Sequence, residues 1–239
     1  MTSLEKSIAY YNTADDVENL NAIFRKVYQY MALGLILTAL TAYFTAASPA
    51  MIRLFYSSPA PLAIVAIVEV VLVLALRVML EKISTSTALI MFAIYSVLNG
   101  VLCSSILLVY TQESVFTAFL STATMFGAMS LYGLYTKRDL SSMGSFLRMG
   151  LFGLLAALVI NLFLASSAMD FYISIFGVII FAGLTAYDTA MIKELAMNSD
   201  SSNETLTGRL AIVGALELYL DFINMFIYLV RIMGKFRDL

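Results

Sequence analysis

The sequence predicts an all-α membrane protein with seven transmembrane helices, and three observations carry that reading. Hydrophobic residues make up 61% of the 239 residues. Charged residues make up only 13%, against roughly 25% in a soluble domain. The mean hydropathy is +0.90, and the few charges fall mostly between long apolar runs. Each run is near the ~20 residues that cross a hydrocarbon core at 1.5 Å per residue. Such a composition cannot cover a water-facing surface, so a soluble globular enzyme is excluded.

The first run follows Arg25-Lys26 and extends from Val27 to about Ala47. The second starts after Pro61 and ends near Leu80, with Glu69 and Arg77 inside it. The third lies between Lys82 and Glu113, and the fourth runs from about Ser114 to Tyr135. The fifth is expected from Phe146 to Ala165, and the sixth from Phe171 to Ile192, containing Asp188. The seventh runs from about Leu210 to Met233 and contains Glu217 and Asp221. This divides the chain into a polar N-terminal tail, 1–26, and a seven-helix domain, 27–239. The polar stretch 194–208 is expected to be a mobile cytoplasmic loop. The tail has no apolar h-region, so a cleaved signal peptide is not expected.

Basic residues set the orientation. Lys6, Arg25, Lys26, Lys82, Lys137, Arg138, Lys193 and Arg209 fall on one side of an alternating seven-span path. The other side's loops hold only Arg53. The positive-inside rule then puts the N-terminus in the cytoplasm. Arg231, Lys235 and Arg237 run against it: seven full crossings put them outside, so either the last segment crosses regardless or it stops short. Seven crossings are expected. The simplest host membrane is a bacterial plasma membrane, with an endoplasmic-reticulum-type membrane as the alternative. On the cytoplasmic side the sequon Asn203-Glu204-Thr205 is silent.

The chain has no histidine and one cysteine, Cys103. That excludes an internal disulfide and a His- or multi-Cys zinc site, and no resident metal or cofactor is expected. A retinal protein needs a lysine in its last helix, and none precedes Lys235. A net charge of -2 gives no reason to expect a nucleic-acid partner.

Ionisable groups at membrane depth are costly unless paired or hydrated, so they mark candidate sites. They are Glu69, Arg77, Asp188, Glu217 and Asp221. Asp188 and Arg77 each stand five residues from a boundary lysine, roughly 7 Å deep, which makes them natural ion-pair partners. Glu69 lies roughly 12 Å further in than Arg77, and Asp221 lies roughly 18 Å past Arg209. By that arithmetic the two aspartates are roughly 11 Å apart along the membrane normal. Glu217, Asp221 and Asn224 share one face of the last helix, which should therefore sit inside the bundle. The bland alternative is that these groups are hydrogen-bonded glue between helices. That is the expectation for Asn99 and Asn161. Ala123 and Gly127 read as packing contacts, and Cys103 as a small buried hydrophobe.

The stretches GLTAYDTAMIK (Gly183–Lys193) and ALELYLDFINMFIYLVRIMG (Ala215–Gly234) resemble the last two helices of the Bax inhibitor-1 family. Glu69–Arg77 and ALIMFAIYSVLNGV (Ala88–Val101) are similar to its second and third helices. The resemblance implies two triple-helix layers around a central C-terminal helix. It also implies a pH-sensitive calcium leak governed by an aspartate pair, which by motif is Asp188 and Asp221, with Arg77 as the arginine that latches the first.

The leading functional expectation is a cation leak channel with Ca²⁺ as the permeating ion. Glu69, Glu217 and Asn224 would supply oxygens along the path, too few for a tight cage. The resemblance also implies a second reading, a regulator that binds a membrane-bound quality-control protease or a cell-survival partner, with tail 1–26 as a handle. A third, an intramembrane aspartyl protease built on Asp188 and Asp221, lacks a Gly-x-Gly-Asp turn and a Pro-Ala-Leu segment, and the chain is not expected to be an enzyme.

Overall fold

The computed structural model describes residues 14–79, 83–198 and 204–236, without the side chains of 14–16 and 204–206. Lys6, Lys82, Arg237 and Asn203 of the sequon therefore lie outside the described residues. Among those residues every regular element is a helix, joined by short turns, apart from an isolated bridge between Tyr110 and Phe236.

Helix α1 (Ala14–Ala47) begins well before the first apolar run, so the helix continues into the polar tail. It ends at Ser48-Pro49, where Ser48 caps a short helix the sequence did not suggest, α2 (Pro49–Tyr56), by accepting from the Met51 amide at 3.4 Å. Proline suits a first turn, where the amide it lacks would have no partner. The chain's three prolines all obey this: Pro49 opens α2, and Pro59 and Pro61 open α3 (Pro59–Met79). Helices α4 (Thr85–Val109) and α5 (Gln112–Tyr135) start at Ser84 and Thr111, each accepting a backbone N–H. Helix α6 (Ser141–Leu164) stops at Ala165, which takes the left-handed conformation at φ 48°. There Asn161 Oδ1 accepts the Ser166 amide at 3.0 Å, so its polar group serves a helix end. Helices α7 (Ser167–Asn198) and α8 (Glu204–Met233) complete the chain.

Seven of these helices are long and apolar enough to cross a membrane. The expected loop 194–208 is largely helix instead. Glu194–Asn198 continues α7 and Glu204–Gly208 opens α8, which leaves only 199–203 outside the description. The last helix is long and apolar enough for a full crossing, as seven crossings require. Its end is tied to the turn between α4 and α5: the Thr111 amide donates to the Lys235 carbonyl at 3.1 Å, and the Lys235 amide donates to Ser114 Oγ at 3.0 Å.

The core is built around α8. In its most apolar window 61% of residues are buried, against 11% for α6 and 17% for α3. Helix α8 packs on α7, α1, α5 and α4, whereas α6 packs mainly on α7, and α3 mainly on α4. Tyr219 is fully buried, with its ring edge-on to Phe92 and Tyr95 at 5.5 and 5.8 Å. Glycines bring α7 close to its neighbours. A Cβ at Gly177 would meet the Tyr228 ring at 2.5 Å, and one at Gly214 would meet Ile192 at 3.0 Å. Gly133 packs directly on the Ala186 carbonyl, and Gly144 on the Tyr187 ring. Gly127 is not the expected packing contact: a Cβ there would meet nothing within 4 Å.

Candidate functional site

The close contacts of α7 and α8 fix their antiparallel register. With Gly214 on Ile192 and Gly177 on Tyr228, Asp188 lies level with Glu217, and Asp221 is one turn, roughly 6 Å, further in. Helical side chains tilt toward their own N-terminus. On antiparallel helices, Asp188 therefore leans inward and Asp221 leans back toward it. The two carboxyls come within hydrogen-bonding reach of each other, and the Thr185 hydroxyl reaches Asp221. The separation of roughly 11 Å expected from helix rise is thus corrected. It took Lys193 and Arg209 as markers of one level, but α7 continues past Lys193, whose ammonium donates to the Leu134 carbonyl at 2.8 Å.

Both aspartates are buried, Asp188 at 8% exposure and Asp221 at 3%. Oδ2 of Asp221 has no hydrogen-bond partner. A hydrogen bond between two carboxyl groups needs a proton on one of them, because two carboxylates are acceptors only.

Arg77 pairs differently from expectation. Its Nη2 donates to Glu217 Oε2 at 2.7 Å, and no ion pair joins it to Asp188. The register explains this, since Glu217 shares Asp188's level and points to the α3 side. Arg77 remains within electrostatic reach of Asp188. The bridge spans two helices that otherwise pack elsewhere, because α3 rests mainly on α4. The Arg77 side chain is 49% exposed and that of Glu217 is 16% exposed.

Glu69 and Asn224 lie apart from this cluster. They line a cavity of about 510 Å³ that extends toward the C-terminal end of α8, with Tyr95, Asn99, Tyr110 and Arg231 also in its wall. Glu69 is buried at 7% exposure and is hydrogen-bonded to Asn99, while its Oε1 has no partner. Asn99 Oδ1 also accepts from the buried thiol of Cys103 at 3.4 Å. Asn224 donates to the Leu220 carbonyl at 2.8 Å and lines the same cavity. At the rim Arg231 pairs with Asp170 at 3.2 Å.

So the structure brings Asp188, Asp221, Glu217 and Arg77 together and holds Glu69 and Asn224 in a separate chamber. Arg148 is a member of the neighbourhood that the sequence reasoning missed. It lies inside the fifth apolar run, and the criterion that selected the other five groups selects it too. Its Nη2 donates to the Tyr187 hydroxyl at 2.9 Å, beside Asp188. Among the described residues no group of three or more His, Cys, Asp or Glu is arranged to hold a metal ion.

Comparison with known proteins agrees with the motifs. The family model described as "Inhibitor of apoptosis-promoting Bax1" matches residues 20–238. The chain is 42% identical to the inner membrane protein YbhL of Escherichia coli strain K12 over 218 residues, covering 91% of this chain and 93% of that protein. It is 40% identical to an uncharacterized protein of Rickettsia prowazekii over 221 residues, 92% of each chain. It is also 40% identical to an uncharacterized membrane protein of Streptococcus pyogenes serotype M1, covering 93% of this chain and 96% of that one. These similarities span the four helices that carry the carboxyl cluster and its two arginines, and the chain belongs to the Bax inhibitor-1 family of membrane proteins.

Proposed function

We propose that this protein is a pH-sensitive calcium (cation) leak channel of a bacterial inner membrane, with its N-terminus in the cytoplasm. The observation that carries the reading is a pair of buried aspartates within hydrogen-bonding reach of each other on two closely packed helices, α7 and α8. Sharing a proton, the pair ties the helices together. When that proton leaves, two like charges stand about 4 Å apart, which at an effective dielectric of 20 costs on the order of 4 kcal/mol. Polar contacts between membrane helices contribute only about 1 kcal/mol each, so the repulsion wins. Arg77 is then drawn from Glu217 toward the ionised pair, and the bridge between α3 and α8 loosens.

The rest of the path follows the seam between those helices. The chamber at Glu69, Asn99 and Asn224 supplies oxygens that suit a hard cation, in too small a number to trap it. Calcium would be dehydrated in part there and pass Asp221 and Glu217 when the bridge is open. More leak is expected when the pair is ionised, with the change falling between about pH 5 and 8. The inner-membrane assignment draws on the relative YbhL, and the orientation on the basic loops.

Calcium flux into liposomes that contain only this protein tests the reading. Flux above that of empty liposomes is expected. Its absence at every pH in this range would favour the second role, a regulator acting on a membrane-bound partner such as a quality-control protease.

A further inference from the structure

Arg148 stands two turns into α6, within the fifth apolar span, and no carboxylate holds it. Among the described residues the ion pairs are Arg77–Glu217 and Arg231–Asp170. The Arg148 guanidinium has only neutral partners. Nη2 donates to the Tyr187 hydroxyl at 2.9 Å, Nε donates to the Gly144 carbonyl at 3.3 Å, and Cζ lies 5.2 Å from the centre of the Tyr187 ring. A cation at this depth is expensive unless an opposite charge compensates it. Tyr187 directly precedes Asp188, and the Arg148 charge is within electrostatic reach of both Asp188 and Glu217.

The charges around the pair can be named from each helix. Asp188 faces Asp221 and Glu217 on α8, Arg77 on α3 and Arg148 on α6. Asp221 faces Asp188, Glu217 and the neutral Thr185 hydroxyl. Three carboxyls and two guanidinium groups are electrically neutral when one proton remains on the aspartates. Without Arg148, neutrality would need a second proton. We infer that Arg148 is the second counter-charge of the carboxyl cluster, a positioning residue that sets the pH at which the aspartate pair releases its proton. Its helix suits that role: α6 packs mainly on α7 and is the least buried span, so Arg148 can turn toward Asp188 without disturbing the core. The inference rests on the proposed leak only for the link from proton release to flux.

The test is infrared difference spectroscopy of the full-length protein in lipid, following the protonated carboxyl C=O stretch from pH 4 to 9, with Asp221→Asn identifying the band. Losing a positive charge within electrostatic reach should make the proton harder to remove, so Arg148→Gln should raise the midpoint by about one pH unit. Arg148→Lys keeps the charge and should return the midpoint most of the way to the native value. If Arg148→Gln does not fold, Arg148→Met, of similar length and suited to lipid, makes the same measurement. An unchanged midpoint in the neutral variant, or an equal shift in the lysine variant, overturns the inference. A shifted band in a protein that passes no calcium would sink the leak reading alone and leave Arg148 its role.

Discussion

The two acidic regions beside α8 are built on opposite plans. At one end Asp188, Asp221 and Glu217 are held by partners: the aspartates by each other and Glu217 by Arg77 at 2.7 Å. The two helices carrying them are pressed together at Gly214, and α7 is pressed on α5 and α6 at Gly133 and Gly144. At the other end Glu69, hydrogen-bonded to Asn99, lines about 510 Å³ of open space, and like Asp221 it keeps one buried carboxyl oxygen unpartnered. A closed, charge-balanced cluster is suited to holding helices shut. An open chamber lined by carboxyl and amide side chains is suited to receiving an ion. The difference lies in packing: α7 and α8 are drawn close by glycines, whereas α3 rests on α4 and meets α8 through one ion pair.

The largest effect is expected where the closed end is clamped. Gly133→Ala pushes a methyl group into the Ala186 carbonyl, backbone that cannot step aside, with Thr189 Cβ at 2.9 Å behind it. Overpacking of this kind costs about 1–3 kcal/mol, so thermal unfolding in detergent should show a clear drop. Gly127→Ala, on the same helix but in open space, should stay within about 0.5 kcal/mol of native. Equal losses at the two positions would mean the clamp is not where the packing places it.

Next in size is the bridge between α3 and α8. Arg77→Ala and Glu217→Ala should each destabilise by ~1–2 kcal/mol, between the values for exposed and buried pairs. In a double-mutant cycle the two should couple by about 1 kcal/mol, and Arg77 with Asp188 by less. A larger coupling to Asp188 would restore the pairing expected from depth alone.

How much of this the sequence carried can be seen at those residues. The seven spans were legible because a composition with 13% charge leaves few places to interrupt a helix. The membership of the acidic set was legible because a carboxyl among leucines stands out. The partners were not. Helix rise counted from basic residues assumes that those residues mark one level, and Lys193 does not, because its long side chain reaches back to Leu134 while its helix runs on. Register came instead from glycine contacts such as Gly214 on Ile192, which need the fold. Arg148 was legible by the same depth criterion as Arg77, yet its role depends on Tyr187 and on a helix packing that no spacing reveals.

The smallest effect on stability, but a sharp one on access, is expected from cysteine scanning with Cys103 replaced by Ala. A cysteine at 224 should react with a membrane-impermeant cationic thiol reagent added from the side of the C-terminal end of α8. A cysteine at 185, buried beside Asp221 with the pair intact, should stay protected while the cluster is closed. Equal labelling would erase the contrast between an open chamber and a closed cluster.

The central claim is that the closed end gates the open one through a shared proton. Calcium flux into liposomes, measured from pH 5 to 8 for the native chain, Asp188→Asn and Asp221→Asn, tests it most directly. Each asparagine keeps the shape and a hydrogen bond but cannot complete the pair's ionisation. The native chain should leak more as pH rises, and both variants should give flux that no longer depends on pH in that range. If both keep the native profile, the aspartates only hold the helices together and the gate lies elsewhere.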